Sequence, residues 1–129
     1  MGVLRFKDGC EISGPPSPAQ ARILGVADSI AQAGPDVWVT CLEDGHADDD
    51  PHTLRKAADI RTHDRAPADV VKMYRLFGAY LGAGWTVLYE APAPVVEPEL
   101  RAIWYGPSGA TAAHLHIQVK IGETFPPEE

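Results

Sequence analysis

The sequence of 129 residues contains little cysteine and no apolar run long enough to cross a bilayer. Its two cysteines, Cys10 and Cys41, form no C-x-x-C motif. This spacing argues against a redox pair or a zinc knuckle and favours two buried free thiols. The first ten residues also lack the apolar block and the small-residue cleavage site of a signal peptide. The sequence therefore predicts a soluble protein that is not exported by a signal peptide.

Positive charge is scarce as well. The sequence has 11 Lys and Arg residues against 18 Asp and Glu, giving a net charge of −7, and its basic residues form no stripe. A surface that binds nucleic acid needs clustered Lys and Arg to contact phosphates. We therefore expect neither nucleic acid nor a membrane as a partner. The length favours a single domain over residues 1–129.

Two helices are predicted from apolar residues at helical spacing. Ser17 as N-cap and Pro18 at the first helical position predict a helix over 18–33. A second helix is predicted over 67–81, because its apolar residues share one face and Gly82 follows it.

Four strands are predicted where β-branched, aromatic or alternating residues occur in short runs. Prolines in residues 92–98 exclude a central strand there, and residues 106–113 are predicted to form a flexible loop. The order of elements predicts an α+β fold, with a small, mostly antiparallel sheet and helices packed on one face. The predicted strands are residues 36–42, 57–62, 84–91 and 114–120.

Histidines occur in only two regions of the sequence. His46, His52 and His63 surround an acidic loop, and His114 and His116 form an H-x-H pair in the last predicted strand. Side chains two residues apart on a strand point to the same face. The two imidazoles of the H-x-H pair are therefore predicted to face one cleft, as a metal ligand beside an acid/base would. An exposed sheet face is the alternative.

A metal site would need ligands from both regions. A loop that doubles back onto the strand at 57–62 would bring His52 close to Asp59. Two histidines and an aspartate with an open fourth position are typical of catalytic zinc, because water occupies the open position. Zinc is the first choice by residue type, and manganese or cobalt would also suit nitrogen and oxygen ligands.

Other polar residues are candidates for the same cleft. If the second strand continued far enough, Asp59, Arg61 and His63 would share a face. Arg61 would then bind a substrate carboxylate or neutralise the acidic loop. His46 would line the cleft or be solvated, and strand parity allows Glu90 to face the site. The large aromatic residues Trp38, Trp85 and Trp104 are predicted to belong to the core.

Two segments resemble a known group of enzymes. "HTLRKAADIRT" (52–62) is similar to the His-x₂-Gly-x-Ala-x-Asp motif of zinc D-alanyl-D-alanine carboxypeptidases. "HLHIQV" is similar to the H-x-H strand of the wider superfamily that contains lysostaphin-type and penicillin-insensitive murein peptidases. The similarity to small phage-associated members covers about residues 37–120. It implies a fold like that of the hedgehog and D,D-peptidase proteins.

The resemblance also implies a site and an activity. His52, Asp59 and His116 would hold Zn²⁺, and His114 would be the catalytic neighbour. The implied activity is zinc-dependent hydrolysis of amide bonds in peptidoglycan stem peptides or cross-links. Arg61 and His46, which are candidates for the cleft by their position in the sequence, would contact the peptidoglycan peptide. If the protein is phage-encoded, we expect it to be cytoplasmic until lysis or to be part of a particle.

The sequence departs from the family pattern at three positions. Asp50 stands in place of a serine and Arg55 in place of the motif glycine. Ala113 stands where the carboxypeptidases have a carboxylate before the last histidine. These departures favour the H-x-H arrangement, with His114 in the role of the carboxylate. They also keep a second hypothesis open, in which the chain is a catalytically degenerate module that binds a peptide or protein, or a structural component of a phage particle.

Overall fold

The computed structural model describes residues 2–8, 10, 15–42, 57–107 and 112–120. Within these residues the fold is α+β, with six strands and three helices. The elements in chain order are β1 (Leu4–Phe6), α1 (Pro18–Gln32), β2 (Val37–Cys41), β3 (Ala57–Arg61), α2 (Pro67–Leu81), β4 (Trp85–Ala91), α3 (Pro98–Arg101), β5 (Trp104–Pro107) and β6 (His114–Val119).

The six strands form one mixed sheet in the order β1-β2-β3-β6-β4-β5. The last strand of the described residues, β6, lies between β3 and β4 and is antiparallel to both. Strands β2 and β3 are also antiparallel, whereas β1 pairs with β2 and β4 pairs with β5 in parallel. The prediction of an antiparallel sheet therefore holds for its centre, and both edges differ from it.

Both long helices follow their sequence signals. Ser17 accepts a hydrogen bond from the Gln20 backbone N–H, and the Gln20 side chain accepts one from the Ser17 backbone N–H, which completes a capping box. Helix α2 is followed by Gly82 at a φ of 89°, a conformation that side chains other than glycine rarely adopt. The predicted ends of the two helices are correct to within one residue.

Three short elements were not predicted. Strands β1 and β5 contain 3 and 4 residues, and helix α3 contains 4. Segments of this length are too short to show a period of apolar residues. Long-range contacts hold β1 in place instead: the Val3 N–H donates to the Asp36 carboxylate, and the Val37 N–H donates to the Val3 carbonyl.

The alternation of residues along β6 separates the two faces of the sheet. Leu115, Ile117 and Val119 are buried in a cluster with apolar residues of α1 and α2, including Ile23 and Phe77. Their neighbours along the strand point to the opposite face, which we call the polar face. In the described ranges no helix has the length and apolar character needed to cross a bilayer.

Candidate functional site

Three neighbouring strands bring polar residues together on two adjacent rungs of the polar face. On one rung, His116 of β6 lies opposite Asp59 of β3. On the next rung, His114 of β6 lies between Arg61 of β3 and Glu90 of β4. Because β6 pairs with both neighbours over most of its length, its side chains are held from two sides. The site is therefore built on the centre of the sheet.

The first cluster, which we call the His116 group, consists of Asp59, His116 and Gln118. His116 Nδ1 lies 3.0 Å from Asp59 Oδ1, and His116 Nε2 lies 2.6 Å from Gln118 Oε1. The Gln118 amide nitrogen donates to the Val119 carbonyl at 3.3 Å. Since that carbonyl can only accept, the amide oxygen of Gln118 faces the imidazole.

The second cluster, the His114 group, consists of Ala112, His114 and Glu90. His114 Nδ1 donates to the Ala112 carbonyl at 3.0 Å, and Nε2 lies 2.9 Å from Glu90 Oε1. A carbonyl and a carboxylate are both acceptors, so in this arrangement each ring nitrogen of His114 carries a proton. The pair is a charge-assisted hydrogen bond, and such bonds contribute about 1.5–3 kcal/mol.

Asp59 joins the two groups. Its Oδ1 contacts His116, and its Oδ2 lies 3.8 Å from His114 Nε2. The four charged side chains are only 13–22% exposed. Burying a charge is costly unless an opposite charge compensates it, and here two carboxylates face two imidazoles. Removal of one member would leave another buried and uncompensated.

The surroundings of the site shift the pKa values of His114, His116 and Glu90. Burial lowers the pKa of His114, but the hydrogen bond to Glu90 and the charge of Asp59 outweigh burial, so the pKa is raised. Burial likewise opposes the rise in the pKa of His116, which Asp59 and Gln118 produce. The hydrogen bond from His114 lowers the pKa of Glu90. All three shifts favour the charged forms.

The contact between Asp59 and His116 fits two ligands of one metal ion. Bonds of about 2.0 Å in a tetrahedral zinc site separate neighbouring ligand atoms by about 3.3 Å. The observed separation between Asp59 Oδ1 and His116 Nδ1 is 3.0 Å. One carboxylate oxygen and one imidazole nitrogen are the kinds of donor that zinc binds. The pair therefore has the chemistry and the spacing of two of the three predicted ligands.

The predicted third ligand, His52, and the predicted substrate-binding residue His46 lie outside the described residues. Within residues 2–8, 10, 15–42, 57–107 and 112–120, no three His, Cys, Asp or Glu side chains are arranged to hold a metal ion. The zinc site thus stays a prediction in which His52 completes the pair formed by Asp59 and His116.

Arg61 lies on the polar face beside His114 and packs on an aromatic ring. Its guanidinium carbon is 5.7 Å from the centroid of the Trp38 ring, and Arg5 approaches the same ring at 5.8 Å. Arg61 Nη2 also forms an ion pair of 2.8 Å with Asp64. The guanidinium is held in one orientation by these contacts, and the Arg61 side chain keeps 33% of its surface exposed.

One condition set by the sequence is not met in this region, and one prediction is wrong. Strand β3 ends at Arg61, so it does not continue far enough for His63 to share the face of Asp59, and His63 lies exposed in the following turn. Trp38 is half-buried on the polar face, because β1 places Arg5 opposite it and β3 brings Arg61 over it. The core assignment holds for Trp85, which is 8% exposed.

Two residues, Glu90 and Gln118, contact the site histidines more directly than the sequence indicated. Glu90 was only a candidate, but its parity on β4 puts it on the polar face in contact with His114. Gln118 was not assigned a role, although it lies two residues after His116 on the same strand face. The spacing of two in "HLHIQ" was the available signal for Gln118.

Comparisons with known proteins found no matching family model, no matching curated protein and no matching solved structure. The likeness to zinc peptidases therefore depends on the motifs of the sequence itself.

Proposed function

We propose that the chain is a zinc-dependent peptidase that hydrolyses amide bonds in peptidoglycan stem peptides or cross-links. The observation that carries this proposal is the contact between Asp59 and His116 directly beside the pair formed by His114 and Glu90. A pair with metal-ligand spacing and a pair able to exchange a proton are the two parts that metal-assisted hydrolysis needs.

In this proposal Asp59, His116 and His52 hold the metal ion. Zinc, when bound, lowers the pKa of water to about 7 and polarises a carbonyl group. The protein contributes the position of the ligands. Asp59 and His116 come from paired strands, so their relative position is fixed by backbone hydrogen bonds of the sheet.

His114 and Glu90 handle the proton. The Ala112 carbonyl retains the proton on Nδ1 of His114, so Nε2 is the nitrogen that exchanges one. Because both ring nitrogens of His114 already carry protons, the Glu90 carboxylate accepts a proton from the attacking water, and His114 Nε2 gives its own proton to the leaving amine nitrogen as the carbon–nitrogen bond breaks. A positioned acid/base of this kind contributes about 10² to 10⁴ in rate.

Arg61 is the proposed substrate-binding residue among those described. Its guanidinium lies one strand away from His114 and is held over Trp38. Peptidoglycan stem peptides carry carboxylates, and a planar guanidinium binds a carboxylate with two parallel hydrogen bonds. His46 remains the second proposed contact with the peptide.

The first test is the metal content of the purified, untagged protein, measured by mass spectrometry beside a His116→Ala variant. We expect about one zinc per chain in the parent and almost none in the variant, since loss of one ligand weakens a three-ligand site. His63→Ala is a matched control because this histidine is exposed and lies outside the polar face. It is expected to retain zinc.

Hydrolysis of muropeptides is measured with the same three proteins. Turnover by the parent and by His63→Ala, but not by His116→Ala, would support the proposal. If the parent contains no metal even after zinc is supplied, the peptidase proposal fails. Circular dichroism of each variant distinguishes loss of the ligand from loss of the fold.

The second candidate is a non-catalytic module that binds a peptide or a partner protein, or a structural component. The observation that favours it is the replacement of the family's serine and glycine by Asp50 and Arg55. It predicts that muropeptides bind without being cleaved. Turnover of a muropeptide or of a D-Ala-D-Ala dipeptide by the purified protein would exclude it.

A further inference from the structure

Gln118 is the one uncharged side chain that contacts an imidazole of the site through its own polar atoms among the described residues. Its amide oxygen lies 2.6 Å from His116 Nε2, which is the shortest of the four hydrogen bonds described above for the two site histidines. Gln118 has no part in the proton exchange proposed above, and no ligand role was predicted for it. Its contact therefore needs a separate explanation.

The orientation of the Gln118 amide follows from its second contact. The amide nitrogen donates to the Val119 carbonyl, so the amide oxygen must be the atom that faces His116. An amide oxygen can only accept, and His116 Nε2 must therefore carry the proton of this hydrogen bond. Asp59 Oδ1, 3.0 Å from His116 Nδ1, is also an acceptor, so Nδ1 of the metal-free protein carries a proton that a bound metal ion would replace.

We propose that Gln118 is a positioning residue that holds His116 with its proton on Nε2 and so directs Nδ1, beside Asp59, to the metal ion. This inference rests on the proposed function. A metal-binding histidine commonly donates its other ring N–H to an acceptor, which fixes both the tautomer and the ring orientation. Gln118 supplies that acceptor from the same strand.

The strand geometry makes Gln118 suited to this role. Residues 116 and 118 share a face of β6, and β3 and β4 flank Gln118 with Ala57 and Thr86. Ala57 is fully buried and has no polar side-chain atom, so it offers His116 no competing acceptor. Gln118 is half-buried, which limits the access of water to its bond with the ring.

The test uses the full chain with Gln118→Met, Gln118→Glu and Thr86→Val. Methionine keeps the length of the side chain and removes the acceptor, whereas glutamate keeps an acceptor oxygen. Thr86→Val changes the residue of β4 that pairs with Gln118 and leaves Gln118 itself, and Leu88 opposite His116, unchanged. Zinc affinity is measured by competition with a coloured chelator, and cobalt absorption spectra report the ligand geometry.

We expect Gln118→Met to weaken zinc binding about 10- to 100-fold. The zinc affinities of Gln118→Glu and Thr86→Val should be close to that of the parent. The ¹H–¹⁵N spectrum of the metal-free protein gives an independent readout. It should show a slowly exchanging Nε2–H of His116 in the parent that is lost in Gln118→Met.

Two outcomes would overturn the inference, and they differ in what they mean for the peptidase proposal. If the parent binds zinc but Gln118→Met binds it equally well, or if the protected Nε2–H survives that substitution, Gln118 does not position His116 and the peptidase proposal is untouched. If the parent binds no zinc, the peptidase proposal fails and the metal-directing role of Gln118 fails with it.

Discussion

The His116 group and the His114 group contain the same kinds of contact, but we propose different chemical roles for them. In each group one ring nitrogen contacts a carboxylate, and the other contacts a carbonyl-type oxygen. The difference lies in which nitrogen meets the carboxylate. His116 presents Nδ1 to Asp59, whereas His114 presents Nε2 to Glu90.

This difference matters because the two imidazoles belong to one strand and share almost the same burial. Strand geometry alone would give them equivalent roles, so the separation of roles comes from their neighbours on β3 and β4. Asp59 belongs to β3 and Glu90 to β4, so the two carboxylates approach β6 from opposite sides. A pair of histidines thus becomes a predicted metal ligand and a predicted proton carrier.

The largest effect is expected from Asp59→Asn, since Asp59 is the residue that contacts both groups. Loss of its charge removes a proposed metal ligand and the compensation of the buried imidazoles. We expect loss of zinc, with hydrolysis at background level. Metal analysis and a muropeptide assay measure this. A variant that retains both zinc and full activity would exclude Asp59 as a ligand.

A substitution confined to the His114 group should lower the activity without removing the metal ion. His114→Gln is expected to retain about one zinc per chain while kcat falls by about 10² to 10⁴. Metal content and kcat are measured on the same preparation. Loss of zinc in a folded His114→Gln protein would mean that this histidine is a ligand, and the assignment of the two groups would be reversed.

Glu90→Gln tests the partner of His114 with almost no change in shape. The glutamine keeps an oxygen that accepts from Nε2–H but removes the negative charge that raises the pKa of His114. We expect a loss in kcat smaller than that of His114→Gln, with zinc retained. Equal activity of Glu90→Gln and the parent, across the pH profile, would remove Glu90 from the proton exchange.

Arg61→Lys should affect binding of the peptide and leave both groups in place. A lysine keeps the charge but lacks the planar fork that binds a carboxylate through two hydrogen bonds and packs on Trp38. We expect a severalfold increase in KM, little change in kcat, and unchanged zinc. The comparison uses a substrate with a free carboxylate and its amidated form. An equal effect on the two substrates would contradict carboxylate recognition.

The smallest effect is expected far from both groups, at Asp36. Hydrogen bonds from Arg5 and from the Val3 amide lower the pKa of Asp36 below its ordinary value of 3.8. A lowered pKa in the folded state means that the charged form stabilises the fold above that value, and that this stabilisation is lost as the pH falls through the folded pKa. Asp36→Asn should therefore be slightly less stable than the parent at neutral pH.

Thermal unfolding measured from pH 7 down to pH 2 tests this prediction. The difference between Asp36→Asn and the parent should shrink towards the acid end, while zinc content at neutral pH stays the same. A difference that is constant over this range would show that the charge of Asp36 is not its cause. The variant also serves as a control for mild destabilisation in the zinc and activity assays.

Local patterns in the sequence predicted the centre of the fold but not its edges. The alternation in "HLHIQV" predicted the two faces of β6. Apolar residues at helical spacing, with Ser17 before the first helix and Gly82 after the second, predicted the two long helices. The short edge strands β1 and β5 depend on pairing with distant segments, which no local pattern records. For the same reason Trp38 was misassigned, because its neighbours Arg5 and Arg61 come from other strands.

For the site, strand parity predicted which residues share a face of the sheet but not which residues contact each other. Parity put His114 and His116 on a common face and allowed Glu90 to join them, but which carboxylate meets which imidazole depends on the register between strands. Sequence spacing does not determine that register when the pairing strands are far apart in the chain. The contact between Glu90 and His114 is therefore visible only in the assembled sheet.

The central position of β6 also bears on how the protein loses its site when heated. Backbone amides of a strand that is paired on both sides exchange with solvent only when much of the structure opens. Strand β6 should therefore be among the last segments to exchange deuterium. The two histidines would keep their places until the sheet itself comes apart, so their contacts with Asp59 and Glu90 should be lost together with global unfolding in a single step.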